Sequence, residues 1–80
     1  MLEKALILAA KAHTGQVDKG GAPYILHPIR VMLACEGEKE KIVALLHDTL
    51  EDTALTAADL RRAGFSEEIV QAVCCLTRGQ

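Results

Sequence analysis

The chain has 80 residues, half of them hydrophobic and a quarter charged. This length allows one small domain, and so high a hydrophobic content excludes a disordered chain. With one Tyr, one Phe and no Trp, the core must be built from Leu, Ile, Val and Ala. Such a core is typical of small helical bundles, so we predict an all-α fold.

The formal net charge is −2, and the basic residues form no cluster. General binding to the phosphate backbone of polymeric nucleic acid is therefore not expected. We find no leader pattern, and no apolar stretch approaches the roughly 20 residues that span a bilayer. We predict a cytoplasmic protein that does not act at a membrane.

The cysteines are Cys35, Cys74 and Cys75, an odd number with no CxxC spacing. This pattern argues against a disulfide framework and against a zinc-thiolate site. We interpret them as small core residues in a reducing compartment.

The first helix is predicted from Leu2 to about His13, because apolar residues recur there every three or four positions. Gly15 ends it. The segment from Gly15 to Tyr24 contains three glycines and Pro23, which predicts a loop able to carry binding groups.

The second helix is predicted to start at His27-Pro28, with His27 as the N-cap and Pro28 in the first helical position. It should run through Ile29 to Cys35. Gly37 is expected to end it.

The central helix is predicted from about Glu38 to about Glu51. Its apolar run, Ile42–Leu46, leads directly into the titratable side chains of His47, Asp48, Glu51 and Asp52. Charges at a core edge cost several kcal/mol unless they are neutralised, paired or bound to a metal. The pattern therefore favours a metal or acid–base centre, and we expect these groups to border one pocket.

Two shorter helices complete a predicted set of about five. Thr56 and Asp59 have capping-box spacing, and Gly64 should close the helix that they open. Ser66 should cap the last helix, with Phe65 packed on Val70. The apolar stripe of that helix is Ile69, Val70, Val73 and Leu76.

His47 and Asp48 are candidate metal ligands, and Glu51 and Asp52 lie within reach of a water activated there. His27, beside a rigid proline, is the natural third ligand. Imidazole with carboxylate suits Mn, Fe or Zn better than Mg or Ca. Any one of these histidines alone is more often a hydrogen-bonded core or surface residue, but the His-Asp pair followed by Glu-Asp favours a metal site.

Four ordered blocks carry a family resemblance: Ala-His-Thr-Gly-Gln, Pro-Tyr-Ile-Leu-His-Pro, Leu-Leu-His-Asp-Thr-Leu-Glu-Asp-Thr and a closing Leu-Thr, between Ala12 and Thr77. This pattern resembles the HD-domain hydrolases of the RelA/SpoT type. The resemblance implies that residues 1–80 form the N-terminal portion of an all-helical HD domain. It also implies one bound Mn²⁺ and removal of pyrophosphate from the 3′ position of the alarmone (p)ppGpp.

The resemblance further implies roles for individual residues. The implied metal ligands are His27, His47 and Asp48. Glu51 and Asp52 would orient and deprotonate the attacking water, and Lys19 would contact substrate phosphate. His13 also matches a family position, and we interpret it as structural or as a support for the ligands.

The chain departs from the family pattern in two places. Asp18-Lys19 stands where the alarmone hydrolases usually have Arg-Lys, so the Arg that lies against guanine is missing and another phosphorylated substrate is possible. The family's fourth ligand, an Asp in a later Leu-Ala-Asp block, has no counterpart before Gln80. Three ligands would hold a metal more weakly, and uncovered apolar surface would favour homo-oligomers.

The leading hypothesis is a metal-dependent phosphohydrolase acting on a nucleotide pyrophosphate, with the alarmone 3′-pyrophosphate as the best single substrate. The alternative is a catalytically silent helical interaction or oligomerisation module that keeps the HD motif. A regulatory nucleotide-binding role ranks third.

Overall fold

The computed structural model describes residues 1–76, apart from the side chain of Asp52. Its helices are α1 (Leu2–Ala12), α2 (Leu26–Ala34), α3 (Glu38–Asp52), α4 (Ala57–Arg62) and α5 (Glu67–Leu76). The described chain contains no strand beyond an isolated bridge between Val17 and Pro23. The predicted all-α fold with five helices is confirmed, while Thr77 of the closing Leu-Thr block lies outside the described residues.

Helix α3 is the centre of the bundle and packs against α1, α2 and α5, while α4 packs against α5. The predicted apolar run explains this position. Ile42 is 2% exposed, and Leu45 and Leu46 are fully buried. A helix that is apolar on all sides over five residues can be covered only if neighbours pack on several of its faces.

The other helices supply smaller parts of the same core. Helix α1 buries Ala5 and Ala9 completely, and these small side chains bring its backbone close to α3. Helix α5 contributes Val70 and Val73, also fully buried, and Phe65 lies in the same cluster as Val70. None of the helices in residues 1–76 is long and apolar enough to cross a membrane.

The predicted caps of the last two helices are confirmed. The Asp59 amide donates to Thr56 Oγ1 at 3.2 Å, and the Thr56 amide donates to Asp59 Oδ2 at 2.9 Å, which completes the capping box. After α4, Gly64 has φ +100, a left-handed conformation that a side chain would strain. Ser66 Oγ accepts from the Ile69 amide at 3.3 Å at the start of α5.

The predicted start of α2 is wrong by two residues. Ile25 is the N-cap and Leu26 the first helical residue, so His27 lies inside the first turn. Pro28 is then the third helical residue, where its missing N–H costs nothing because the first amides of a helix have no partner within it. Gly37 does not end α2 either; its φ of −92 belongs to the N-cap of α3.

Two side chains expected in the core lie at the surface. Leu76, placed on the apolar stripe of α5, is 60% exposed, because no described element covers the end of that helix. Cys75 is also exposed, whereas Cys35 and Cys74 are half-buried. All three cysteines are free thiols in this structure.

An exposed ion pair joins α4 to the start of α5. Arg61 Nε and Nη2 each donate to one oxygen of Glu67 at 3.0 Å, and Gln71 Nε2 donates to Glu67 at 2.8 Å. These hydrogen bonds, those from Arg61 above all, lower the pKa of Glu67 from its usual 4.5 to about 2. A carboxyl group whose pKa is lower in the folded than in the unfolded protein stabilises the fold at pH values above its unfolded pKa. That contribution is lost as the pH falls through the folded pKa.

We therefore expect the melting temperature to fall as the pH decreases from 4.5 to about 2, with part of the fall due to Glu67. Glu67→Gln should remove that part, and thermal melts at several pH values measure it. Arg61→Gln should reduce the same pH dependence, since it removes the partner. An unchanged acid dependence in both variants would contradict this assignment.

Candidate active site

The last turns of α3 hold His47 and Asp48 in direct contact. His47 Nδ1 lies 3.0 Å from the carbonyl oxygen of Ala44, and its Nε2 lies 3.1 Å from Asp48 Oδ1. The side chains are 25% and 15% exposed, so the contact lies at the edge of the core. A carbonyl can only accept a hydrogen bond; Nδ1 therefore carries the proton that is donated to Ala44.

With Nδ1 donating to Ala44, Nε2 is the ring nitrogen that faces the Asp48 carboxylate. At 3.1 Å these two atoms form a hydrogen bond when Nε2 carries a proton, and both can ligate a cation when it does not. Two neighbouring ligands at about 2.1 Å from an octahedral metal are about 3 Å apart. The pair therefore fits a divalent cation in both chemistry and spacing.

Tyr24 is a site residue that the sequence analysis did not single out. Its hydroxyl donates to Asp48 Oδ2 at 3.0 Å. Its ring centroid lies 4.9 Å from that of His13 and 5.8 Å from that of His27. The only available signal was its place in the Pro-Tyr-Ile-Leu-His-Pro block, because the contact spans two segments that are distant in the sequence.

His27 lies in the first turn of α2 with an exposed side chain. Tyr24 connects it to Asp48, through a ring contact on one side and a hydrogen bond on the other. Among the described residues, no three His, Cys, Asp or Glu side chains come together closely enough to hold a metal ion. The structure thus brings together His47 and Asp48, with Tyr24 between Asp48 and His27.

His13 is 2% exposed and lies at the end of α1. Its Nδ1 is 3.0 Å from Gln16 Oε1, an acceptor, whereas Nε2 is buried without a hydrogen-bond partner among the described residues. Burial, packing on Tyr24 and the hydrogen bond to Gln16 all suit a supporting residue. The interpretation of His13 as structural therefore stays our prediction.

The Gly-rich loop before α2 is confirmed as a loop, but hydrogen bonds give it a definite shape. The Asp18 amide donates to Ala22 O at 2.8 Å, and the Tyr24 amide donates to Gln16 O at 2.9 Å. Asp18 Oδ1 accepts from the amides of Gly20 and Ala22, at 2.9 and 3.0 Å. The carboxylate of Asp18 thus adds two hydrogen bonds to those that the main chain makes across the loop.

Lys19 and Glu51 are both exposed. Lys19 lies at the tip of the loop, next to Asp18, and Glu51 lies one helical turn beyond His47 on α3. The side chain of Asp52 lies outside the described residues. Neither the role of Lys19 in phosphate binding nor that of Glu51 and Asp52 in handling water is tested by these positions.

An open groove of about 500 Å³ lies between α2, α3 and α5. Its walls are mostly apolar, with Lys39, Glu40 and Glu68 among the lining residues. His47 is part of the lining, but Asp48 and Glu51 are not. Of the three described side chains that we expected to border one pocket, His47 alone lines this groove.

These features define the class of protein: a small all-α chain whose central helix ends in a paired histidine and aspartate, as in an HD domain. No protein-family model matches the chain. Several curated proteins do match, and they identify the chain as a homologue of the RelA/SpoT-type proteins of (p)ppGpp metabolism.

Three relatives illustrate the match. A guanosine-3′,5′-bis(diphosphate) 3′-pyrophosphohydrolase of Borreliella burgdorferi is 39% identical over 94% of this chain. A bifunctional (p)ppGpp synthase/hydrolase SpoT of Escherichia coli is 37% identical over 90% of it, and a GTP pyrophosphokinase of Myxococcus xanthus is 36% identical over 98%. The chain spans only 11 to 12% of the length of these relatives.

Asp18 gives the loop a direct test. Asp18→Ala should speed hydrogen exchange of the Gly20 and Ala22 amides, because it removes the acceptor that both share. Asp18→Asn is the matched control, since an amide oxygen can still accept both bonds. Amide exchange followed by NMR measures the effect, and equal rates in Asp18→Ala and the native protein would contradict it.

Proposed function

We propose that this chain supplies the metal-binding part of an HD-type hydrolase that removes the 3′-pyrophosphate from (p)ppGpp or a related phosphorylated nucleotide. The contact between His47 and Asp48 carries the proposal, because it brings an imidazole nitrogen and a carboxylate oxygen, both ligand atoms for divalent metals, within 3.1 Å at the edge of the core. Relatives named as (p)ppGpp hydrolases support the substrate class. The activity of the whole protein is part of the proposal, since the chain is much shorter than those relatives.

His27, His47 and Asp48 would hold the cation, with Mn²⁺ as the expected ion. His27 is exposed, so its side chain can rotate towards the pair without loss of core packing. A hydrogen bond from His47 Nδ1 to Ala44 would leave Nε2 as the nitrogen that ligates the cation, which supports the proposal. When bound, the cation supplies a Lewis acid for the phosphoryl group and acidifies the attacking water.

The remaining roles follow from charge and position. Glu51, one turn from His47, would accept the proton of the attacking water, with Asp52 as its partner in orienting that water. Lys19 would offset phosphate charge from the loop tip. Asp18, next to it, adds a negative charge that disfavours a highly anionic nucleotide. The proposed substrates therefore include nucleotides less anionic than a guanosine tetraphosphate. The cytoplasmic location stays a prediction.

The test separates cation binding from chemistry. Mn²⁺ should raise the melting temperature of the native protein, and at about 100 times the dissociation constant the gain is about 2.7 kcal/mol. His47→Ala should abolish this shift. Glu51→Gln should keep it and lose release of pyrophosphate from ppGpp, because the residue handles a proton and does not ligate the cation.

Calorimetry with Mn²⁺ and a pyrophosphate-release assay give the two measurements, with Lys11→Ala on the exposed side of α1 as the control that keeps both. A native protein whose melting temperature does not respond to Mn²⁺ would overturn the proposal.

The alternative, a silent module, is favoured by one observation: the apolar groove between α2, α3 and α5. Its expected occupant is a second copy of this chain, because the rim carries both signs of charge and the net charge of −2 repels copies only weakly. Exposed Leu33 and Leu76, 68% and 60% accessible, add apolar surface.

If the chain is such a module, light scattering should give the mass of an oligomer, and that oligomer should bind no Mn²⁺. Leu76→Glu should then convert the oligomer to a monomer. Ile7→Glu on α1, a residue 55% exposed, is the matched control and should leave the oligomer intact. A native monomer that binds stoichiometric Mn²⁺ would exclude the module.

A further inference from the structure

The two oxygens of the Asp48 carboxylate have different partners. Oδ1 faces His47 Nε2 at 3.1 Å, and Oδ2 accepts the hydrogen bond of the Tyr24 hydroxyl at 3.0 Å. A carboxylate at the end of a short side chain turns easily about its last bond, whose rotamer wells are broad. A donor on one oxygen therefore decides which oxygen is presented to the histidine.

We propose that Tyr24 is a positioning residue for the candidate cation site: its hydroxyl holds Asp48 by Oδ2 so that Oδ1 remains directed at His47 Nε2. The inference rests on the proposed function, since it concerns the same site. It adds a residue that acts through Asp48 and does not itself touch the cation or the substrate.

Tyr24 can position Asp48 because it is itself held on several sides. Its amide donates to the main-chain oxygen of Gln16 at 2.9 Å. Its ring packs on His13, tilted by 48°, and His13 is in turn bonded to the Gln16 side chain. Gln16 thus bonds both to the backbone of Tyr24 and to the His13 ring on which Tyr24 packs.

The same arrangement ties the site to the loop and to α2. The ring of Tyr24 also lies 5.8 Å from that of His27, tilted by 48°. One side chain therefore contacts both a proposed ligand on α2 and a proposed ligand on α3. Partners that orient metal ligands typically change metal affinity 10-fold to 100-fold when removed, which sets the size of the expected effect.

The experiment uses Tyr24→Phe, which keeps the ring and removes only the hydroxyl. The dissociation constant for Mn²⁺, measured from the EPR signal of the free ion, should rise about 10-fold to 100-fold. Excess Mn²⁺ should restore occupancy, because the ligands are intact. Thr14→Ala is the control; it removes an exposed hydroxyl that donates to Ala10 O at 2.8 Å and should leave the affinity unchanged.

Intrinsic fluorescence gives a second measurement that needs no activity. Tyr24 is the only Tyr and there is no Trp, so all tyrosine emission comes from the proposed positioning residue. Without metal, Asp48→Asn should change this emission, because it replaces the charged acceptor of the hydroxyl. In the native protein, paramagnetic Mn²⁺ bound at Asp48 should quench it, whereas Zn²⁺ should quench it less.

The outcomes separate the two proposals. Native protein and Tyr24→Phe that bind Mn²⁺ equally well would overturn the positioning role and leave the proposed function standing. Native protein that binds no Mn²⁺ would overturn both. Emission that is identical in the native protein and Asp48→Asn would overturn the hydroxyl–carboxylate contact itself, whatever the metal affinity.

Discussion

The placement of an imidazole nitrogen against a carboxylate oxygen in the last turns of α3 is the contact on which the candidate site depends. Ala44 accepts from Nδ1 of His47, so Nε2 is the ring nitrogen directed at Asp48, and both side chains lie partly buried at the edge of the core. The core makes this arrangement possible. The buried run that precedes the pair packs against α1, α2 and α5 and so fixes the place of the α3 backbone that carries both side chains.

The site is assembled from separate parts of the chain, and Tyr24 is where they meet. The end of α1 supplies His13, the loop supplies Tyr24 itself, the first turn of α2 supplies His27, and α3 supplies Asp48. The tight loop makes this meeting possible, because its cross-loop hydrogen bonds return the chain to α2 within a few residues. Folding of the loop and geometry of the acidic end of α3 are thereby linked through a single phenol group.

Features that depend on neighbours in the sequence could be predicted. The bounds of α3, the capping box of Thr56 and Asp59, and the cap at Ser66 all follow from spacing, and the structure has them as expected. Predictions failed where distant contacts or turn geometry decide. The amides of Leu26 and His27 donate hydrogen bonds back to carbonyl groups of the loop. This turn starts α2 two residues before the predicted position, so His27 is not a cap.

The hydrogen bond from Tyr24 to Asp48 could not be predicted for the same reason, since Asp48 lies 24 residues further along the chain. Leu76 shows the converse limit. Periodicity assigns a residue to a helix face, but it does not determine whether another element covers that face, and nothing within residues 1–76 covers Leu76.

Asp18 has a consequence for redesign of the loop. Its carboxylate is the acceptor for two amides, so replacing it with the arginine usual in the resembling alarmone hydrolases would add a cation and remove both of these hydrogen bonds at the same time. The charge at the tip of the loop and part of the hydrogen bonding inside it therefore depend on the same side chain.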